Sequence, residues 1–147
     1  AGGARSIPIP YDASEELVED IFSQIDGILF PGGGSDLPPS AVYLWKFVHA
    51  AHREGDMIPV WGTCLGFEFL VQLASQNTSI LEGGFVAENV SLPLEQVVQL
   101  HLYQPPALFQ AVRSLNITMN NHELGLSPTL FAKTPSLRKL WRVTSIN

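Results

Sequence analysis

The residues best suited to covalent chemistry surround the single cysteine of this chain, Cys64. An apolar run ending at Trp61 leads into the segment 62–66 (Gly-Thr-Cys-Leu-Gly), and a run with helical character follows over 67–74. A strand, a glycine-flanked nucleophile and a helix make up the pattern of a nucleophile elbow. Such a turn projects its nucleophile at the positive end of a helix, where a thiolate is favoured. The spacing is equally compatible with a buried cysteine that acts as a small hydrophobic residue.

A triple-glycine turn, 32–34, is the second feature with chemical potential. It follows a short apolar strand at 26–30, and an intervening helix would place that strand beside the one that leads to the cysteine. Ligands of open α/β sheets bind at the carboxyl ends of the strands. The backbone N–H groups of Gly33, or its neighbour, and Leu65 could therefore hold an oxyanion together. The glycines alone are equally consistent with a tight turn, and the spacing of a phosphate-binding loop is absent.

A cysteine nucleophile usually needs a base, and the chain contains four histidines. His49 and His52 fall on the predicted helix over 40–54 and are expected at its surface. His101 lies in an apolar stretch and is expected to be a partly buried structural residue. His122 follows a predicted strand in a polar turn and is the best local candidate, although an ordinary loop histidine explains that position about as well.

Other side chains offer less for ligand binding. Glu68, one helical turn after Cys64, would bind a substrate ammonium group or cap local backbone. No cluster of His, Cys and Asp has the spacing of a metal site, so no metal is expected. Nothing in the chain indicates a cofactor.

The elements that position these residues alternate between short apolar strands and amphipathic helices. Asp12 and Glu15 resemble a capping box for a first helix, and Gly55 is predicted to end the helix that Pro38 opens. This alternation predicts βαβ units, a parallel sheet and an α/β fold in a single partial domain, 1–147. Beyond Gly84 the pattern weakens. The remaining predicted elements are strands at 97–102 and 115–119, a short helix at 105–112 and a final helix around 137–141 that runs into 143–146.

Composition limits the function classes. Hydrophobic residues make up 46% of the chain, which is ample for a core, and the net charge is −6. This charge argues against nucleic acid and anionic membrane surfaces as partners, and no apolar run approaches the roughly 20 residues of a membrane span. Glycosylation triplets begin at Asn77, Asn89 and Asn116, and their number favours the secretory route.

Two segments carry a family resemblance. Residues 27–34 (Gly-Ile-Leu-Phe-Pro-Gly-Gly-Gly) and 59–68 (Pro-Val-Trp-Gly-Thr-Cys-Leu-Gly-Phe-Glu) resemble gamma-glutamyl hydrolase, a folate polyglutamate hydrolase of the class I glutamine amidotransferase-like superfamily. The superfamily elbow is a looser G-x-C-x-G, whereas the longer form seen here is far more specific to the hydrolases. Residues 1–5 resemble the segment after the family's first helix, and 121–127 resemble its F-H-x-W-S-L-S region. The resemblance covers most of the chain.

The resemblance implies a three-layer α/β/α, flavodoxin-like fold with a mostly parallel central sheet, incomplete at both ends. It implies hydrolysis of γ-glutamyl bonds in folate polyglutamates, in a lysosome, a vacuole or the extracellular space. A small-molecule γ-glutamyl substrate is then the expected partner, and a homodimer is allowed.

The resemblance also assigns roles to residues. Cys64 would attack the γ-glutamyl amide to form a thioester, and Gly33 and Leu65 would hold the oxyanion. His122 falls where the family keeps a histidine near the active site, and Glu68 matches a glutamate assigned to substrate binding. The neighbouring glycines Gly32 and Gly34 are assigned to substrate binding as well.

The chain departs from the family at both ends. Members begin with a strand and a helix that have no counterpart here, and they continue past the position of Asn147 to a G-x-Q-x-H-P-E segment that supplies the catalytic histidine. The chain therefore resembles an internal part of a larger enzyme. Two alternatives to the hydrolase stay open: a glutamine amidotransferase (glutaminase) domain and a catalytically inactive fragment.

Overall fold

The computed structural model describes residues 3–96 and 106–146 of the chain. The chain divides into two units, Ala1–Ser79 and Ile80–Asn147. The prediction of one partial domain stays a prediction. The first unit contains α1 (Glu15–Phe22), β1 (Ile28–Phe30), α2 (Pro39–Glu54), β2 (Val60–Gly62) and α3 (Leu65–Ser75). The second contains β3 (Glu82–Leu92), β4 (Glu95–Gln96), α4 (Pro106–Ser114), β5 (Thr118–Gly125), α5 (Pro128–Lys133), α6 (Pro135–Leu140) and β6 (Ser145–Ile146).

A parallel strand pair lies at the centre of the first unit. β1 and β2 run side by side, with Leu29 opposite Trp61 and Phe30 opposite Gly62. α2 connects the two strands, as a parallel pair requires, and α3 packs against both. The predicted α/β class is confirmed.

The helices of the first unit follow the sequence signals closely. α2 carries a proline in its first turn and ends at Gly55, whose φ of 90° is the left-handed conformation that glycine tolerates best. Its buried residues Ala41, Leu44 and Val48 recur at helical spacing. α1 packs against α2 and buries Val18 completely.

The predicted capping box of α1 is wrong. Ser14, not Asp12, caps this helix, and its Oγ accepts a hydrogen bond from Leu17 N–H at 3.3 Å. Both side chains can fill such a role. The structure begins the helix at Glu15, which leaves Asp12 outside the first turn.

The second unit is built on an antiparallel pair that the sequence predicts only in part. β3 pairs with β5, and the register shifts between Gly83 and Ala87 and again between Ala87 and Val90. Such irregularities interrupt the two-residue alternation by which a strand is recognised. β5 begins three residues after the start of the predicted strand, 115–119.

Other predictions for this unit have mixed outcomes. The short helix predicted at 105–112 is confirmed as α4, and the final helix as α6. The predicted strand at 97–102 and His101 lie outside the described residues. No helix within 3–96 or 106–146 combines the length and apolar character needed to cross a membrane.

Candidate active site

The backbone around Cys64 has the geometry of a nucleophile elbow. β2 ends at Gly62, α3 begins at Leu65, and Cys64 between them adopts φ 56° and ψ −118°. Positive φ is uncommon for a residue with a side chain. A conformation of this kind costs about 1–3 kcal/mol and persists where the surroundings over-determine it, most often at functional sites. The thiol is free and partly exposed.

Backbone hydrogen bonds join this turn to both neighbouring elements. Thr63 N–H donates to Phe30 O at 3.1 Å, which extends the parallel ladder by one bond beyond β1. Cys64 O accepts from Phe67 N–H at 2.9 Å and from Glu68 N–H at 3.2 Å, which closes the first turn of α3. Cys64 is therefore fixed on both sides.

The two glycines that flank the turn are required by close backbone packing. A methyl group at Gly66 would lie 2.0 Å from the carbonyl oxygen of Phe30, and one at Gly62 would lie 2.5 Å from the carbonyl oxygen of Gly66. Real Cβ atoms do not approach backbone this closely. The glycines let the helix start press directly against the ends of the two strands.

The triple-glycine turn lies beside the cysteine. A methyl group at Gly32 would lie 3.2 Å from Cβ and 3.6 Å from Sγ of Cys64, and one at Gly33 would lie 3.7 Å from Cδ2 of Leu65. A methyl group at Gly34 would meet nothing within 4 Å. The structure therefore brings Gly32 and Gly33 to the elbow, whereas Gly34 borders open space.

Two N–H groups at the elbow are available to a ligand. In the described part of the chain, neither Gly33 N–H nor Leu65 N–H donates to a backbone oxygen. Leu65 is the first residue of α3, so its N–H lies at the positive end of an 11-residue helix. Groups of this kind bind anions readily.

Glu68 lies in the first turn of α3 and is half-buried. Its backbone N–H donates to Cys64 O, which ties the backbone of Glu68 to that of Cys64. A carboxylate in the first helical turn also complements the helix dipole. Its assignment to substrate binding stays a prediction.

His49 and His52 lie on α2, as predicted, and both residues are partly exposed. The His49 ring meets the Trp45 ring edge to face with centroids 4.7 Å apart. His52 Nε2 lies 3.2 Å from the carbonyl oxygen of Ile58, which links the end of α2 to the segment before β2. These contacts support the fold.

The predicted turn position of His122 is wrong. This residue lies inside β5, half-buried and opposite Ala87 on β3. The polar pair Asn120-Asn121 reads as a turn in the sequence, yet the Asn121 side-chain oxygen accepts a hydrogen bond from Asn89 N–H and holds the strands together at 3.2 Å. His122 belongs to the second unit, and its role at the site stays a prediction.

The predicted glycosylation sites lie at the surface. The side chains of Asn77, Asn89 and Asn116 are all exposed, as acceptors of glycans must be. Their glycosylation, and the lysosomal, vacuolar or extracellular location, stay predictions. Among the residues that the structure describes, no group of three or more His, Cys, Asp and Glu side chains is arranged to hold a metal ion.

Sequence reasoning misses one contact at the elbow. The Trp61 indole N–H donates to Thr63 Oγ1 at 2.9 Å, one residue before the cysteine. The sequence marks Trp61 only as the end of an apolar run, since an aromatic residue in a strand normally signals a core position. In the structure, however, the Trp61 side chain is 69% exposed.

The fold and the site together define an α/β protein with a cysteine at a nucleophile elbow. No protein-family model matches the chain. The chain is 35% identical over 160 residues to gamma-glutamyl hydrolase B of Dictyostelium discoideum, a match that covers 100% of this chain and 45% of that relative. It is also 35% identical over 157 residues to human gamma-glutamyl hydrolase, with 100% and 49% covered.

A plant relative gives a similar result. Gamma-glutamyl hydrolase 1 of Arabidopsis thaliana is 33% identical over 152 residues, and the match covers 97% of this chain and 43% of the relative. The chain spans about half the length of the curated relatives it matches. The resemblance to gamma-glutamyl hydrolases is thereby confirmed over essentially the whole chain.

Proposed function

We propose that the protein hydrolyses γ-glutamyl bonds through a covalent intermediate on Cys64. The observation that carries the proposal is the strained turn at Cys64, with φ 56° and ψ −118°, set against Gly32 and the start of α3. The similarity to gamma-glutamyl hydrolases supplies the bond type. A cysteine held in this way suits acyl transfer, because it lies against the glycine turn at Gly32 and directly before the start of α3, whose first N–H groups favour an oxyanion.

The first half of the reaction forms a thioester. The Cys64 thiolate attacks the γ-carbonyl carbon, a C–S bond forms, and the carbonyl electron pair moves onto oxygen. The N–H groups of Gly33 and Leu65 stabilise this oxyanion, and each such donor contributes substantially in a site of this kind. The oxyanion then re-forms the carbonyl, the C–N bond breaks, and the leaving nitrogen takes a proton from a general acid.

The second half releases the product. Water attacks the thioester carbon, the C–S bond breaks, and a γ-carboxyl group and a free thiol result. A base must take a proton from this water. The family resemblance assigns the catalytic histidine to the G-x-Q-x-H-P-E segment, so the proposal gives His122 no step of its own.

Folate polyglutamates are the proposed substrates. The absence of a side chain at Gly32 leaves room beside the Cys64 sulfur for the γ-carbonyl group. The half-buried Glu68 carboxylate would accept a hydrogen bond from the substrate's α-nitrogen, which is an amide N–H in a polyglutamate and an ammonium in a free γ-glutamyl compound. Gly34 would contact the more distant part of the ligand.

The test is glutamate release from a folate polyglutamate by the protein and by its Cys64→Ala variant. We expect kcat/KM to fall at least about a thousandfold, in line with the loss of other catalytic nucleophiles. Met57→Ala is the matched control, because it removes a sulfur-containing side chain that is 72% exposed. Undiminished cleavage by Cys64→Ala would refute the proposal.

The alternatives give different results with the same protein. Ammonia release from glutamine without cleavage of γ-glutamyl peptides would assign a glutamine amidotransferase domain instead. Turnover of neither substrate by the wild-type protein would assign a catalytically inactive chain.

A further inference from the structure

Thr63, the residue before Cys64, takes part in three hydrogen bonds at the elbow. Its N–H donates to Phe30 O at 3.1 Å, and its carbonyl oxygen accepts from Gly66 N–H at 2.9 Å. Its side-chain Oγ1 accepts the indole N–H of Trp61 at 2.9 Å. The first two bonds belong to the backbone pattern of any strand–turn–helix, whereas the third depends on two particular side chains.

The Trp61 indole is oriented by this bond more than by packing. It is 69% exposed, and its partner across the parallel pair, Leu29, is 65% exposed. Tryptophan normally contributes through burial of its large ring. Since packing covers so little of this ring, the hydrogen bond to Thr63 is a contact that restricts its orientation.

The turn is short of other side-chain anchors. Cys64 holds a positive φ, a conformation that lasts only while its neighbours over-determine it. Gly62, the last residue of β2, contributes no side chain, so Thr63 carries the nearest one before the cysteine. Threonine is stiff at χ1, and a bond that fixes its Oγ1 restricts the residue that leads directly into the strained position.

We propose that Trp61 is a positioning residue for Cys64: its indole N–H, acting through Thr63 Oγ1, holds the thiol in the orientation required for attack. The inference deepens the proposed function and rests on its nucleophile. It predicts that the bond affects the reactivity of the sulfur itself, before any substrate is bound.

The test is alkylation of Cys64 by iodoacetamide, in which the S–C bond forms, iodide leaves and the thiol proton passes to water. Trp61→Phe removes the donor and retains an aromatic ring, and Thr63→Val removes the acceptor and retains the branched shape. We expect each variant to lower the second-order rate constant at fixed pH about 3- to 10-fold, as the loss of one hydrogen bond implies. Mass spectrometry of the labelled peptide measures the rate.

Three further variants separate positioning from a general structural effect. The double variant is expected to react no more slowly than the slower single variant, because both changes remove the same bond. Thr63→Ser keeps the acceptor and is expected to restore most of the rate lost in Thr63→Val. Trp45→Phe makes the same tryptophan substitution on α2, away from the elbow, and is expected to stay within about twofold of wild type.

Two outcomes would overturn the inference. In the first, the alkylation rate constants of Trp61→Phe and Thr63→Val both stay within about twofold of wild type. In the second, the rate loss of the double variant equals the product of the losses in the two single variants. If circular dichroism shows that Trp61→Phe is unfolded, the alkylation rates of Thr63→Val and Thr63→Ser are compared instead. Equal rates in these two variants refute the inference. Alkylation needs no substrate, so a protein that labels as expected but cleaves no γ-glutamyl bond refutes only the proposed function. Where cleavage occurs, kcat should fall with KM unchanged.

Discussion

The two units of the chain are stabilised by different kinds of contact. All but two of the buried apolar residues in the described part of the chain lie in the first unit, and the exceptions are Ile80 and Leu137. The elbow in that unit depends on backbone packed against backbone at Gly62 and Gly66. Contacts of this kind carry no charge and leave no room for adjustment.

The second unit relies on polar contacts at its surface. The Glu82 carboxylate accepts a hydrogen bond from Ser127 N–H at 2.9 Å, and the Asn121 side chain bridges β5 to β3 at Asn89. The exposed Val86, at 95%, shows how little of β3 is covered. We therefore expect the stability of the first unit to respond to changes in side-chain volume and that of the second unit to changes in charge.

Gly66→Ala is expected to have the largest effect on stability, and it tests the close backbone packing of the first unit. The added methyl group would lie 2.0 Å from Phe30 O, and backbone cannot move aside as a flexible side chain can. We expect the free energy of unfolding of the first unit to fall by at least about 3 kcal/mol. Denaturant titration monitored by tryptophan fluorescence measures it.

Gly34→Ala is the control, because its methyl group would meet nothing within 4 Å. We expect this variant to change the free energy of unfolding by less than about 1 kcal/mol. Equal stability of the two variants would show that the close packing at the elbow is absent in solution.

Leu44→Ala should have the next largest effect. Leu44 on α2 is 4% exposed, and truncation of such a residue costs about 2–5 kcal/mol through lost burial and a cavity. Leu29→Ala makes the same change on β1 where the side chain is 65% exposed, and should cost no more than about 0.5 kcal/mol. Denaturant titration of both variants measures the difference in their free energies of unfolding. A loss at Leu29 as large as at Leu44 would mean that this face of the strand pair is covered in solution.

Much of the first unit could be predicted because its signals are local. The proline and glycine that bound α2 act within one turn of the helix, and the glycine spacing around Cys64 reports a close approach of backbone. The glycine run could be placed beside the cysteine because two parallel strands joined by a helix must end at the same edge. The hydrogen bond between Trp61 and Thr63 could not be predicted, because it depends on a side-chain orientation that no sequence periodicity encodes.

Most of the second unit could not be predicted because its signals are not local. β3 is interrupted by two register shifts, so its alternation is lost, and only pairing with β5 identifies it as a strand. The predicted turn position of His122 is wrong for the same reason, since His122 lies inside β5. The cap of α1 shows a smaller limit: Asp12 and Ser14 are both good caps, and the sequence does not say where the helix begins.

The smallest expected effect is the pH response of the second unit, which tests the other half of the comparison. A hydrogen bond with Glu123, followed by repulsion from its charge, raises the pKa of Glu88. A raised pKa in the folded state means that the stabilisation from the protonated Glu88 is fully present below the unfolded pKa and is lost as pH rises through the folded pKa.

The pKa of Glu82 shifts in the opposite direction. Hydrogen bonds from Ser127 lower it, and the positive charge of Lys133 lowers it further. That contribution is present above the unfolded pKa and is lost as pH falls through the folded value.

The two carboxyl groups on β3 therefore predict opposite responses to one substitution. Glu88→Gln keeps a donor for Glu123 without a proton to lose, so its Tm should exceed that of wild type at pH 7 and approach it near pH 4. Glu82→Gln loses its charged acceptor, so its Tm should fall below wild type at pH 7, with the difference shrinking in acid. Thermal melting by circular dichroism at the two pH values measures both. Parallel shifts in the two variants would show that these contacts do not act through ionisation, and the proposed contrast between the units would then fail.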